Sequence, residues 1–244
     1  MQAWNPFRKL TGFEWGLWLF SLAVVTLSFL FGGGHPLTLA ASLIGVTALI
    51  FVAKGEVLGQ ILTVVFSLAY AAVSLRFRYY GEMITYLGMT APIAVMSVVS
   101  WLKHPYQAGK SEVAVARLTA GQIAWMSGLG LIVTVLFYFI LAYFETANLL
   151  VSTVSILTSF LASYLMFCRS PAYALAYAAN DLVLIVLWVL AAMDSLSYLP
   201  MVVCFAMFFC NDLYGFYNWR RMRSRQQRCE GAEIQTEPPA GHIP

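Results

Sequence analysis

Eight apolar runs of about twenty residues, parted by short polar breaks, leave this chain one architecture. The runs fall at about 14–31, 36–53, 57–76, 83–102, 122–143, 148–168, 171–192 and 197–218. The breaks are Gly32-Gly33-Gly34-His35-Pro36, Lys54-Gly55-Glu56, Arg76-Phe77-Arg78, the stretch Lys103–Gly121, Glu145, Arg169-Ser170-Pro171 and Asp194. A helix needs roughly 20 residues to cross the hydrocarbon core, so eight crossings take about 160 residues. Little of the 244 remains for a separate soluble catalytic domain. The chain is only 10% charged and 61% hydrophobic, whereas a soluble domain carries about 25% charge. A soluble enzyme and a disordered chain are both excluded. The first run lacks a small-residue cleavage site and further spans follow it, so it reads as a retained helix.

Lysine and arginine are retained on the cytoplasmic side of a membrane protein. With eight spans, one side holds Arg8, Lys9, Lys54, Lys103, Lys110, Arg117, Arg169, Arg220, Arg221, Arg223, Arg225 and Arg228, which is 12 of the 14 cations. The other side holds Arg76 and Arg78. A multi-pass protein of the inner (plasma) membrane with both termini cytoplasmic is expected. The net charge of +3 is therefore a topology signal, and no nucleic-acid partner is expected. Arg220–Arg228 would meet anionic headgroups as a stop-anchor. Over the basic tail 220–244, residues 229–244 are polar and rich in Pro, Glu, Gln and Gly, and disorder is expected there.

Shifted by 118 residues, the chain pairs Tyr70 with Trp188, Tyr80 with Tyr198, Met83 with Met201, Met89 with Met207, Trp101 with Trp219 and Lys103 with Arg221. Spans two to four and six to eight would then be two three-helix units. One intervening helix returns the chain to its starting side, so the units run parallel, as in parallel-repeat transporters. The expected division is residues 1–35, a terminus and extra first helix; 36–103, a first bundle; 104–147, a loop and linker helix; 148–219, a second bundle; and the tail 220–244.

An ionisable group at mid-bilayer costs several kcal/mol on most scales and usually lines a cavity. Asp181 and Asp212 are the two acids well inside the expected spans, each preceded by an asparagine. At about 100° per residue, Tyr173, Tyr177, Asn180, Asp181, Leu184 and Trp188 share an arc of roughly 100°. Asp181 lies near the middle of its span, so this face is the foremost site candidate. Asn211 and Tyr214 lie on a second face with Met207, Phe208, Gly215 and Asn218. Asp212 points about 100° away from Asn211 and is expected to pair with cations or another helix. Gln60, Thr63, Ser67, Tyr70 and Ser74 align on span three, and Tyr86, Thr90, Ser97 and Trp101 on span four; small hydroxyl residues also serve tight helix packing. The seam Asn148, Ser152, Ser155, Ser159, Ser163 reads as packing.

His35, His104 and His242 lie in loops or the tail, and no span carries a metal-ligand pattern, a phosphate-binding loop or a nucleophile elbow. No cofactor and no enzymatic activity are expected. What remains is transport. Aromatic rings stack on flat heterocycles and attract cationic rings through their negative faces. Asn and Asp bond ribose hydroxyls, and a carboxylate offsets positive charge. A small flat neutral-to-cationic molecule with a sugar fits; a phosphorylated one does not, because no Lys or Arg lies deep in a span.

Tyr79-Tyr80-Gly81-Glu82-Met83, Pro92, Ser100-Trp101-Leu102-Lys103-His104-Pro105, and Tyr214-Gly215 with Trp219-Arg220-Arg221 resemble the PnuC family of vitamin-precursor transporters, over about residues 36–221. The segment Tyr173–Trp188 resembles the family's substrate-contacting penultimate helix. The resemblance implies an all-α SWEET-like fold, two three-helix bundles joined by a linker helix, with the first helix added. It also implies uptake of nicotinamide riboside by facilitated diffusion, with phosphorylation trapping the product. Where better-known members carry a Trp-x-x-Trp pair, this chain has Tyr173 and Tyr177. Relatives in the family are expected to carry thiamine or deoxynucleosides. The substrate site expected is thus Tyr173, Tyr177, Asn180, Asp181, Trp188, Asn211, Tyr214, Gln60 and Tyr70. A homo-oligomer is compatible with the sequence. A non-transporting membrane scaffold would instead pack the polar stripes together without a cavity.

Overall fold

In the computed structural model, residues 6–32, 35–76, 80–107, 111–146 and 148–236 are described; Gly33, Gly34, Phe77, Arg78, Tyr79 and Lys110 lie outside them. Eight helices are long and apolar enough to cross a membrane. They are α1 (Gly12–Gly32), α2 (Pro36–Ala53), α3 (Val57–Arg76), the pair α4 (Tyr80–Thr85) and α5 (Ala91–Lys103), α6 (Ala120–Tyr143), α7 (Leu149–Phe167), α8 (Ala172–Asp194) and α9 (Leu199–Thr236).

The helix starts follow local chemistry. Thr11 and Glu14 cap α1 reciprocally: the Thr11 N–H donates to Glu14 Oε2 (2.6 Å) and the Glu14 N–H to Thr11 Oγ1 (3.3 Å). Thr119 and Gln122 repeat the device on α6. On α2, Pro36 sits where no intrahelical N–H is needed, and the His35 imidazole accepts from the Leu37 N–H. The fourth span is not one regular helix. Between α4 and α5, residues Tyr86–Thr90 make a π-turn immediately before Pro92. A proline ring clashes with the carbonyl four residues back, here Gly88, and the wider turn relieves the clash.

Lipid-facing sides carry large apolar residues, among them Phe20, Leu30 and Phe31 on α1 and Trp125, Leu131, Ile132 and Phe139 on α6, all at least 60% exposed. Helices α2, α3 and α5 pack in sequence, as do α6, α7, α8 and α9; α2 also packs on α9 and α5 on α7, while α1 lies against α2 and α9. The α2–α3 crossing is held close by Gly59, where a Cβ would fall 2.4 Å from the Val52 backbone nitrogen.

The last span corrects the expectation of disorder for residues 229–236; residues 237–244 lie outside the described residues. Helix α9 runs on to Thr236, carrying Arg220–Arg228 as regular helix well past the apolar run. Its Arg, Gln, Glu and Ala residues favour helix, and after Pro200 in its first turn no proline follows until Pro238. Gln226 anchors it: its Oε1 accepts from the Val115 N–H (2.8 Å) and its Nε2 donates to the Val113 carbonyl (3.1 Å). Arg225 pairs with Glu112. Residues 104–107 and 111–119 thus form a strap across the basic ends of the helices. Val113 is fully buried and donates to the Gly55 carbonyl (3.0 Å), and Ala116 donates to the Arg169 carbonyl (3.0 Å). Lys9 bonds Glu56 at 2.8 Å, and Glu56 accepts from Ser111.

Gly59→Ala should lower thermal stability by about 1–3 kcal/mol, because the added methyl meets backbone that cannot yield as a side chain does. Melting of the purified protein in detergent, beside Gly128→Ala in open space, checks it.

Candidate functional site

A cavity of about 420 Å³ opens among α2, α3, the fourth span, α7, α8 and α9, within the range of about 300–1,000 Å³ typical of small-molecule sites. It runs from Tyr80, Phe144, Glu145 and Asn148, at the helix ends away from the basic strap, inward to Val52, Met166 and Asp212. The polar stripes therefore do not close on one another.

Helix α8 supplies Tyr177, Asn180, Asp181 and Trp188 to the wall, and α3 supplies Gln60, Thr63 and Tyr70. Six of the nine expected residues are thus brought together. The Asn180 side-chain oxygen accepts from Thr158 (2.8 Å) and Ser159 (2.9 Å) on α7. That fixes the amide's orientation and leaves its two N–H donors for other partners. The Tyr177 hydroxyl meets Ser163 at 2.9 Å. Gln60 is 1% exposed, and its Nε2 has no hydrogen-bond partner among the described residues.

Tyr173, Asn211 and Tyr214 stand outside the cavity. Tyr173 lies below Tyr177 toward the basic end, its ring 4.9 Å from that of Trp219; its hydroxyl needs Gly215, whose Cβ would sit 3.1 Å away. Asn211 turns to α1 and donates to Ser21 (3.0 Å) and the Met207 carbonyl (2.8 Å). Tyr214 donates to Glu14 at 2.6 Å, and Lys54 pairs with the same carboxylate at 3.1 Å. A helical face shows which residues point together, but not which neighbour they meet; here the neighbour is the added first helix.

The cavity also contains residues that sequence reasoning placed elsewhere. The seam Asn148, Ser152, Ser155, Ser159, Ser163 lines the wall, so it does more than pack. Asp212 turns to α8 and meets Asp181 carboxyl to carboxyl. Glu82 lies just outside the apolar run; the Tyr70 hydroxyl and Ser74 donate to it. Opposite stands an aromatic wall: Tyr70 and Tyr86 have ring centroids 4.5 Å apart, and Phe66 lies within 6.0 Å of both and of Phe208. The π-turn aims Tyr86 and Thr90 inward. Four acids line the cavity (Glu82, Glu145, Asp181 and Asp212), and among the described lining residues there is no Lys, Arg or His.

At the basic end the cavity is closed by a crossed clamp. Trp101 Nε1 donates to the Met166 carbonyl (3.3 Å) and Ser100 to the Phe167 carbonyl (3.2 Å). In return, Trp219 Nε1 donates to the Val52 carbonyl (2.9 Å) and Asn218 Nδ2 to the Ala53 carbonyl (2.8 Å). The acceptors are carbonyls of the last turns of α7 and α2; those of Met166 and Val52 also accept the Arg169 and Gly55 N–H, each at 2.9 Å. The donor pairs stand 118 residues apart, the offset of the sequence repeat. Both indoles are fully buried, with centroids 5.5 Å apart.

Trp219→Phe keeps an aromatic ring and deletes the donor, while the Val52 carbonyl still accepts from the Gly55 N–H. Loss of the one hydrogen bond should cost about 0.5–1.5 kcal/mol, and Trp101→Phe a similar amount. Melting in detergent reads the loss, and labelling of a cysteine placed at Ser163 on the cavity wall, in a background without the native cysteines, by a water-soluble reagent added from the strap side should rise in both.

A family described as "Nicotinamide mononucleotide transporter" matches residues 35–221. The chain is 26% identical over 220 residues to "Nicotinamide riboside transporter PnuC" of Neisseria mucosa, covering 88% of this chain and 83% of that one. A solved structure titled "Crystal structure of the Vitamin B3 transporter PnuC" superposes with a TM-score of 0.76 at 25% identity, covering 89% of this chain and 94% of the other.

Proposed function

The chain belongs to the nicotinamide mononucleotide transporter family, that of the PnuC transporters, and from that membership we propose that it imports nicotinamide riboside by facilitated diffusion with alternating access, for NAD synthesis. It is a multi-pass membrane transporter and not an enzyme. The observation that carries the substrate choice is the charge of the wall: four acids and no base among the described lining residues. A phosphate would meet no counter-charge there, whereas a pyridinium ring meets carboxylates and aromatic faces. The riboside therefore fits the site and the nucleotide does not.

In this reading Tyr177 and Trp188 stack on the ring from α8, and Asp181 answers its charge. The Asn180 N–H donors and Gln60 Nε2 hold ribose and carboxamide, and Tyr70 closes the site from α3. Tyr173 supports the seal below it, and Asn211 and Tyr214 hold α1 in place. The chain divides into two three-helix bundles, 36–103 and 148–219, linked by α6, in the SWEET-like arrangement. They rock about the site, the crossed clamp breaking as the basic end opens. The basic end faces the cytoplasm of the cell whose plasma membrane holds the protein, following the cation asymmetry.

Binding to the purified protein tests this directly. Nicotinamide riboside should bind, nicotinamide mononucleotide should not, and thiamine and a deoxynucleoside serve as the family's alternative cargoes. Equal or absent binding of all four would sink the substrate assignment. Tyr177→Ala should weaken riboside binding about 5- to 30-fold, the loss of roughly 1–2 kcal/mol of ring contact.

A further inference from the structure

Asp181 on α8 and Asp212 on α9 are 3% and 4% exposed, touch through their carboxyls and line the cavity. Asp181 Oδ2 has no hydrogen-bond partner among the described residues, so the buried pair keeps an unanswered acceptor beside the cavity that both residues line. The titratable groups around it are Tyr177 on α8, Tyr86 on the fourth span, Cys204 on α9, and Tyr173 beside Asp212. None of these is cationic, and among the described lining residues no Lys, Arg or His neutralises the pair.

Two carboxylates in contact inside a poorly polarisable site repel strongly. One proton held between them removes the repulsion and turns it into a hydrogen bond, as in other buried carboxyl dyads. We propose that Asp181 and Asp212 work as one proton-sharing unit of net charge −1, which selects a single monocationic ring over neutral or anionic molecules of the same shape. The proposal rests on the transport reading and makes Asp212 a selectivity residue. It goes further in assigning the counter-charge to the pair: either carboxyl can carry the charge while the other holds the proton. The occupied site is then neutral and the empty one anionic.

The test uses bare rings, so that it does not depend on the ribose. Binding of 1-methylnicotinamide, a cation, and of nicotinamide, its neutral counterpart, is measured on the full chain in nanodiscs. Wild type should prefer the cation by about tenfold or more. Asp181→Asn and Asp212→Asn should each keep that ratio, whatever their absolute affinities, because one carboxylate remains. The double variant should bind both rings alike. In infrared spectra of the cation-loaded protein, wild type should show the C=O stretch of one protonated carboxyl, and each single variant should lack it.

Loss of the preference in one single variant, a preserved preference in the double, or no protonated carboxyl in loaded wild type each overturns the proposal. The infrared arm needs only the single variants, so it decides even if the double does not fold. Cation preference without binding of the riboside defeats the substrate reading and leaves the dyad standing. Riboside binding without charge preference does the reverse.

Discussion

A bilayer interior offers no water to a polar group, so each one must find a protein partner or face a cavity. That constraint sorts the polar residues of this chain. Glu14, 1% exposed within α1, is answered by Lys54, Tyr214 and the Thr11 N–H. The terminal carbonyls of α2 and α7 are answered by two indoles, an amide and a hydroxyl. The hydroxyls of α7 are spent orienting Asn180 and Tyr177. Of the buried atoms left without a partner among the described residues, Gln60 Nε2 and Asp181 Oδ2 belong to the cavity wall, and the Tyr173 hydroxyl and Asn211 Oδ1 lie beyond it.

The same sorting explains what could be read from residues alone. Hydropathy placed the second and third helices at their observed bounds and most others within a few residues, because burial in lipid is a one-dimensional signal along the chain. The 3.6-residue period likewise brought Tyr177, Asn180, Asp181 and Trp188 to one wall. Periodicity carries no information about which helix stands opposite. Asn211 and Tyr214 were therefore grouped with the substrate face, although α1 occupies theirs. Asp212 was assigned to cations or another helix, and it is α8 that it meets. Glu82 escaped notice because it precedes the apolar run by one residue. The helical tail escaped because its stability depends on Gln226 and Arg225 meeting a strap distant in sequence.

The 118-residue offset is faint as identities, and the structure places two of its aromatic pairs at the cavity. Tyr70 and Trp188 both line the cavity, and Trp101 and Trp219 meet at its closed end. The aspartates are not repeated: both come from the later half of the chain. The wall is markedly asymmetric: the aspartate pair stands on α8 and α9, and aromatic rings are concentrated on α3 and the fourth span, where Glu82 also lies. An asymmetric ligand, charged at one end and hydroxylated at the other, suits that distribution better than a symmetric one.

The crossed clamp has a consequence for how the protein is made. Trp101 leaves the ribosome long before its acceptors at Met166 and Phe167, and the carbonyls of Val52 and Ala53 wait for Trp219 in the final helix. Neither half can therefore seal its own end during synthesis. A chain broken off before its last helix lacks Asn218 and Trp219, so it keeps only the Trp101 half of the clamp and loses the donors to Ala53 and Val52. Completion of the polypeptide and closure of the basic end are therefore the same event.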